Sequence, residues 1–312
     1  MALRTSLLLS LFLAWGCTPA TAAQVHSEEP TGEAAGSSAL DQAPVDWWTT
    51  KTPCPAGATL KGSAPPGGNK VWCEKPDGTP HGAVTEWYDS GKKKLEQTYR
   101  DGKLEGRSEK WHESGQVAEE ARYRGGDLEG NVVTYFPGGQ KQSDCGYVGG
   151  KQVGPCVRFN ADGVKIYEGD YREGKPYGTI KEYYDSGELK SQAEYRNGMK
   201  HGMYKAFHEN GKLEREGKYA EDRMVGAWTF YRKDGSKQEA STLVDGKREG
   251  KVTRWFPNGV IEFEGQFKNG KKDGTWTYYD EEEGEPVKKE LFKNDKKLST
   301  KKLPGANKKK KK

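Results

Sequence analysis

The side chains able to do covalent or metal chemistry are few: five cysteines and five histidines in 312 residues. The histidines, His26, His81, His112, His201 and His208, are scattered along the chain with no cysteine beside them. Neither Cys54 and Cys73 nor Cys145 and Cys156 has C-x-x-C spacing, which leaves a zinc site the weaker reading of these four. There is no HExxH signature, no glycine-rich phosphate loop and no nucleophile elbow. The sequence therefore predicts no catalytic residues, no metal set and no cofactor. What the cysteines do predict is lipid attachment and cross-linking. If Cys17 carries a lipid, an even four remain to pair in an oxidising compartment. Cys145 and Cys156 are symmetric about Gly150–Lys151, so they face each other on adjacent antiparallel strands with Cβ atoms about 4.5–5.5 Å apart. Cys54 and Cys73 bracket a Gly/Pro-rich stretch and predict a small looped cap.

The elements that position these residues come from a repeat. A glycine recurs every 24 residues, at Gly82, Gly106, Gly130, Gly154, Gly178, Gly202, Gly226, Gly250 and Gly274. Five residues after each stands an aromatic: Trp87, Trp111, Tyr135, Phe159, Tyr183, Phe207, Tyr231, Trp255 and Tyr279. Nine residues after, a second glycine is present in eight of nine units, from Gly91 to Gly259. Seventeen after, the row reads Tyr99, Tyr123, Tyr147, Tyr171, Tyr195, Tyr219, Leu243, Phe267 and Leu291. A fixed period of this length marks an architecture in which each unit buries its apolar face only against its neighbours.

Each unit holds two turn signals, such as Ser90-Gly91 and Asp101-Gly102, separated by short runs rich in Tyr, Trp, Phe, Val and Thr. Glycine supplies the positive φ of tight hairpin turns, and the runs favour pleated strands. No sustained helical apolar period is present. The predicted fold is all-β, a single-layer antiparallel β-meander of nine 24-residue hairpin repeats with about eighteen strands. Only 32% of residues are hydrophobic, too few for a two-layer core of this length. Both aromatic rows are therefore expected on one face, the second filling the gaps in the first. Small residues at Ala121, Gly169, Ala193, Gly217, Ser241 and Gly265 leave room for the rings. Acids recurring from Glu96 to Glu264, and bases from Arg100 to Lys268, read as a solvated face of weak cross-strand pairs.

Segments such as YREGKPYGTIKEYYDSGELKSQAEYRNGMKHG and FPNGVIEFEGQFKNGKKDGTWTYYD resemble the MORN-repeat family, in its bacterial antitoxin-like variant. The resemblance covers residues 78–295. It implies a twisted β-meander with scaffolding, protein-recognition and membrane-association roles, and no single activity. The last unit departs from the pattern, with Glu283 in place of the second glycine and Gly284 one place late, which predicts a frayed or capping end.

Outside the repeats, residues 1–17 read as a secretory signal ending in a lipobox-like Gly16-Cys17. The competing cleavage site is Ala20-Thr21-Ala22, which would release a soluble protein. Residues 18–45 read as a disordered tether, 46–77 as the Cys-bridged cap, and 296–312 as a Lys-rich disordered tail. Thr18, rather than aspartate, after the lipidated cysteine points to the outer membrane by resemblance to Gram-negative lipoproteins. From Lys288 onward the chain holds twelve lysines, solvated by default and otherwise suited to anionic surfaces. Nucleic acid is not an expected partner, because the tail lacks interleaved aromatics and the chain reads as exported. The functional expectation is a non-enzymatic cell-envelope scaffold that binds a protein or envelope polymer along its sheet. The alternative is an antitoxin or immunity-type protein, which rests on the resemblance alone.

Overall fold

The computed structural model describes residues 46–304. The predicted signal, tether and Cys17 lie outside them, as do residues 305–312. Every described strand belongs to one antiparallel sheet, in which each pairs with its neighbours in sequence. The nine repeats contribute the eighteen expected strands, one of them interrupted at Glu129 into Asp127–Leu128 and Gly130–Tyr135. Among the described residues no second layer packs on the sheet, and the one complete helical element is the 3-10 turn at Trp47–Thr49.

The turns follow from glycine and its substitutes. The first turn of each unit closes with paired backbone bonds, such as Tyr88 N to Lys92 O at 2.9 Å and Gly91 N to Tyr88 O at 2.8 Å. The second is a two-residue turn with positive φ at both positions, for example Asn197 at 54° and Gly198 at 86°, whose twist matches that of the flanking strands. The repeat glycine is neither of these. It lies within a strand at a bulge, and all nine have φ between 67° and 117°. At Gly178 a Cβ would meet nothing within 4 Å, so backbone conformation and not space demands glycine there.

The core is a stripe that the sequence reading missed. Its large members stand two residues after the repeat glycine: Val84, Ile180, Tyr204, Trp228, Val252 and Trp276 are all buried. Each faces the row at Gln97, Ala121, Cys145, Gly169, Ala193, Gly217, Ser241 and Gly265, whose members other than Gln97 opposite Val84 are small. Trp228, 1% exposed, lies over Gly217, where a Cβ would sit 2.3 Å from its ring. Tyr204, Tyr219, Phe230 and Leu243 complete the cover around that ring, with centroids of the first three at 5.9, 5.2 and 6.2 Å. Trp276 is enclosed in the same way by Phe263, Phe267 and Phe292. The small residues do leave room for rings, but for this row.

The two expected aromatic rows occupy opposite faces, not one. Tyr99 to Phe267 lie on the core face, across from the repeat glycines. Tyr135, Tyr183, Tyr231 and Tyr279 lie on the other face, where their hydroxyls donate to Glu120, Glu168, Glu216 and Glu264. The register shift just before each of them breaks the simple odd–even alternation. Leu291 is also replaced in its row. One extra residue in the Asp280–Glu285 loop moves the register, so Phe292 pairs with Gly274 and is buried while Leu291 is 40% exposed.

Both ends of the array correct the expectations. The last unit is not frayed, because Pro286–Lys293 pairs along its length with the strand before it. Residues 296–302 form a further strand rather than a disordered tail. The turn that permits it is Asn294-Asp295, with φ of 50° and 65°. At the other end, strands Thr59–Ser63 and Lys70–Glu74 extend the sheet beyond the first repeat. The Cys54–Cys73 disulfide ties this cap down with Cα atoms 5.6 Å apart. Trp47 donates to Thr85, and Trp48 packs edge-on against Trp87 at 5.0 Å. Cys145 and Cys156 are direct cross-strand partners and form the second disulfide, with Cα atoms 4.1 Å apart.

Two glycine substitutions should separate the two requirements. Gly178→Ala should lose about 1–2 kcal/mol through left-handed backbone strain alone. Gly217→Ala should lose about 1–3 kcal/mol by overpacking against Trp228. Chemical denaturation of the singles and of each combined with Trp228→Leu gives the check: coupling is expected with Gly217→Ala and none with Gly178→Ala.

Candidate binding face

On the face opposite the core, the recurring acid is the organising residue. Glu168 accepts from Lys165 at 2.5 Å, Lys181 at 2.9 Å and the Tyr183 hydroxyl at 2.7 Å. The same three bonds pull its carboxyl down to about 2. Burial, and then the bond to Glu168, raises the Tyr183 phenol. Lys165 also lies over the Tyr183 ring, 5.0 Å from its centroid. Related nodes join Lys251 and Tyr279 to Glu264, Tyr231 to Glu216, and Lys93 to Glu96 beneath Trp111. At Trp111, Tyr135, Tyr183, Tyr231, Trp255 and Tyr279 the aromatic row therefore supplies hydrogen bonds to, or ring cover for, charged groups of the preceding unit.

The turn edge carries a second set of links, in which the histidines take part. In five of the units the residue after the aromatic reaches the backbone carbonyl one unit on. Tyr88 donates to Trp111 O at 2.8 Å, Tyr184 to Phe207 O at 2.7 Å, and Arg232 to Trp255 O. His112 and His208 fill the same position, with Nε2 at 2.8 Å from Tyr135 O and 3.2 Å from Tyr231 O. His81 lies 3.0 Å from Asp101, and His201 lies 3.3 Å from Arg196. Among the described residues no group of three or more His, Cys, Asp or Glu side chains is placed to hold a metal ion. The structure does not bring the sequence-singled residues into one constellation. The repeat glycines and aromatics are spaced along the array, and the disulfides occupy two separate places.

A shallow groove crosses this face in the middle of the array. Its larger part, about 510 Å³, is lined by Val157, Glu168, Asp170, Thr179, Lys181 and Gln192. An adjoining part of about 280 Å³ shares Pro155 and Val157 and runs on to Asn131, Asp144 and Phe159. The groove thus follows three successive units, with apolar floor residues between charged walls. Sequence reasoning saw the acid row but not this groove. The signal available for it was the replacement of the usual polar residues by Pro155 and Val157.

The family described as MORN repeat variant matches residues 80–101, 104–124, 176–197, 200–221 and 248–269. Each match begins two residues before a repeat glycine, so five of the nine units carry the family pattern in one register. No curated protein matches the chain. Among solved structures, the chain is similar to TcdB2-TccC3 without its hypervariable C-terminal region, at 11% identity over 75% of this chain, with a TM-score of 0.19. It is also similar to TcdB2-TccC3-Cdc42, at 12% identity over 77% of this chain, with a TM-score of 0.15. A third is the Photorhabdus luminescens Tc holotoxin pore, at 11% identity over 76% of this chain, with a TM-score of 0.14. The chain spans only 14% of the first of these chains and 18% of each of the others, and superpositions this loose carry no argument.

The Glu168 node makes stability depend on acid in a defined window. Its folded carboxyl titrates at about 2 against an ordinary 4.5, so its contribution is present above 4.5 and lost as pH falls toward 2. Glu168→Gln should be less stable at neutral pH and should lose less between these two values. Denaturant midpoints measured at intervals through the window decide it, and parallel curves for the two proteins would contradict the assignment.

Proposed function

We propose that the protein is a non-enzymatic scaffold of a bacterial cell envelope that binds an extended protein or envelope polymer along the ion-paired face. The observation carrying this reading is the groove that follows three successive repeats while the chemistry-bearing residues stay apart. Recognition by a repeat array is spread over equivalent positions, and an extended partner matches that distribution better than a small molecule. Eighteen strands at about 4.8 Å spacing give roughly 80–90 Å of array for it. Within the groove, Lys181 and Asp170 supply charge of both signs, and Pro155 and Val157 supply apolar contact. In this reading the array is exported and held at the outer membrane by lipid on Cys17, with residues 18–45 standing it off the surface. The two disulfides support an oxidising compartment.

The experiment has two arms. Cys17→Ala should move the protein from the membrane to the soluble fraction. An unchanged distribution would favour cleavage at Ala20-Thr21-Ala22 instead. In envelope extracts, cross-linked capture should be lost on replacing Thr179 and Gln192 by Arg, which lie in the groove but outside the Glu168 node, with unfolding midpoints close to those of the parent. Capture that ignores both changes would move the binding surface away from the groove, and one stoichiometric toxic partner would turn the reading to an immunity protein.

A further inference from the structure

The last strand of the sheet, Lys296–Lys302, shares an exposed edge position with Thr59–Ser63 and differs from it in carrying four lysines in seven residues. Among the described residues it pairs with Pro286–Lys293 alone, and all seven of its residues are exposed. Its register sets lysine against lysine three times, at Lys288 and Lys302, Lys289 and Lys301, and Lys293 and Lys296. Like charges directly opposite each other across a ladder are destabilising. Where the array sets acid against acid, at Glu96, Glu109 and Glu120, Lys93 and Arg107 lie between and neutralise them. At the last hairpin Lys288 and Lys297 share Glu290, each at 3.3 Å, and Lys293 reaches Asp273 at 3.2 Å. Lys289, Lys301 and Lys302 have no ion pair among the described residues.

The backbone of the same strand is half used. Leu303 N donates to Val287 O at 2.9 Å, and the register places Lys289 opposite Lys301. Antiparallel alternation then points the N–H groups of Thr300 and Lys302 away from the sheet. An edge with free donors and acceptors is a template for another strand, and its side chains decide which. Lysines on both faces repel an identical edge from a second copy. They attract a strand whose alternate residues are acidic.

We propose that Lys296–Lys302 is a docking edge for an acidic, extended segment of a partner protein, which adds to the sheet as a further strand. Backbone bonds to Thr300 and Lys302 align the segment. Lys289 and Lys301 meet its carboxylates on the ion-paired face, the one face on which an alternating segment presents them. This is strand addition, in which the ladder gives affinity and the side chains give selectivity. The edge is separate from the mid-array groove, and the proposal does not depend on what fills that groove.

The test uses the full chain and a fluorescent peptide of alternating glutamate and valine, with binding followed by anisotropy. The peptide should bind, with affinity falling as salt rises, and a lysine–valine peptide should not. Thr300→Pro removes a donor that the existing ladder does not use, so it should weaken binding by about ten-fold with an unchanged unfolding midpoint. Lys289→Gln combined with Lys301→Gln should weaken it comparably. Should Thr300→Pro disturb the hairpin, the parent protein is measured with a peptide of the same charge N-methylated at alternate amides, which should bind about ten-fold more weakly. Equal binding of the methylated and unmethylated peptides would overturn strand addition in favour of simple charge attraction. Binding to anionic phosphatidylglycerol vesicles without binding to the peptide would overturn the choice of partner.

Discussion

A single-layer sheet has no opposing layer to bury a side chain, so its core must be made sideways, from the neighbours in the sheet itself. That constraint is met here by setting a large residue across from a small one on adjacent strands. Trp228 over Gly217 and Trp276 over Gly265 are the fullest cases. Each ring lies down on a place with no Cβ and is then covered by aromatics from the strands beside it. Burial of this kind is worth about 1.5–3 kcal/mol per large side chain, and no ion pair at the surface approaches it.

The same slot accepts other chemistry. Toward the N-terminus it holds a polar pair, with Gln97 donating to Ser108 at 2.9 Å. In the third and fourth units it holds the Cys145–Cys156 disulfide, placed by register where another unit has glycine under a ring. The cross-link is therefore a core element and not an external clamp. The opposite face, relieved of the need to bury rings, can carry acid-centred nodes and a polar groove. The turn edge adds bonds from each unit to a carbonyl of the next, which His112 and His208 serve as readily as Tyr88 and Tyr184.

Period, turn chemistry and strand count were legible in the sequence because glycine at positive φ has few substitutes, so its row is uniform. The true core row was not, because its members range from Ser108 to Trp228 and share burial rather than residue type. The uniform aromatic row attracted attention instead. Its uniformity comes from a repeated position beside the acid row on the opposite face. Face assignment failed at the register shift before Tyr183 and its equivalents, which strict alternation cannot anticipate. The extra residue near Glu283 was seen, but its effect, the exchange of Leu291 for Phe292 in the core, follows only from the pairing. The groove depended on Pro155 and Val157 standing two residues apart on one strand of a single unit, a departure too small to register against the period.

Every strand of the array pairs with strands next to it in sequence, and the inter-unit links at the turn edge join residues 23 apart. The contact order of the fold is therefore low for an all-β protein, and ring closure over long loops does not limit its assembly. A unit needs the one before it and nothing that has yet to be made. The chain can lay down hairpin upon hairpin while it is still emerging, N-terminal end first, with the bridged cap as the seed on which the first strand condenses. Growth in that order leaves a single growing edge in play at any moment, while the other edge stays the short strand Thr59–Ser63.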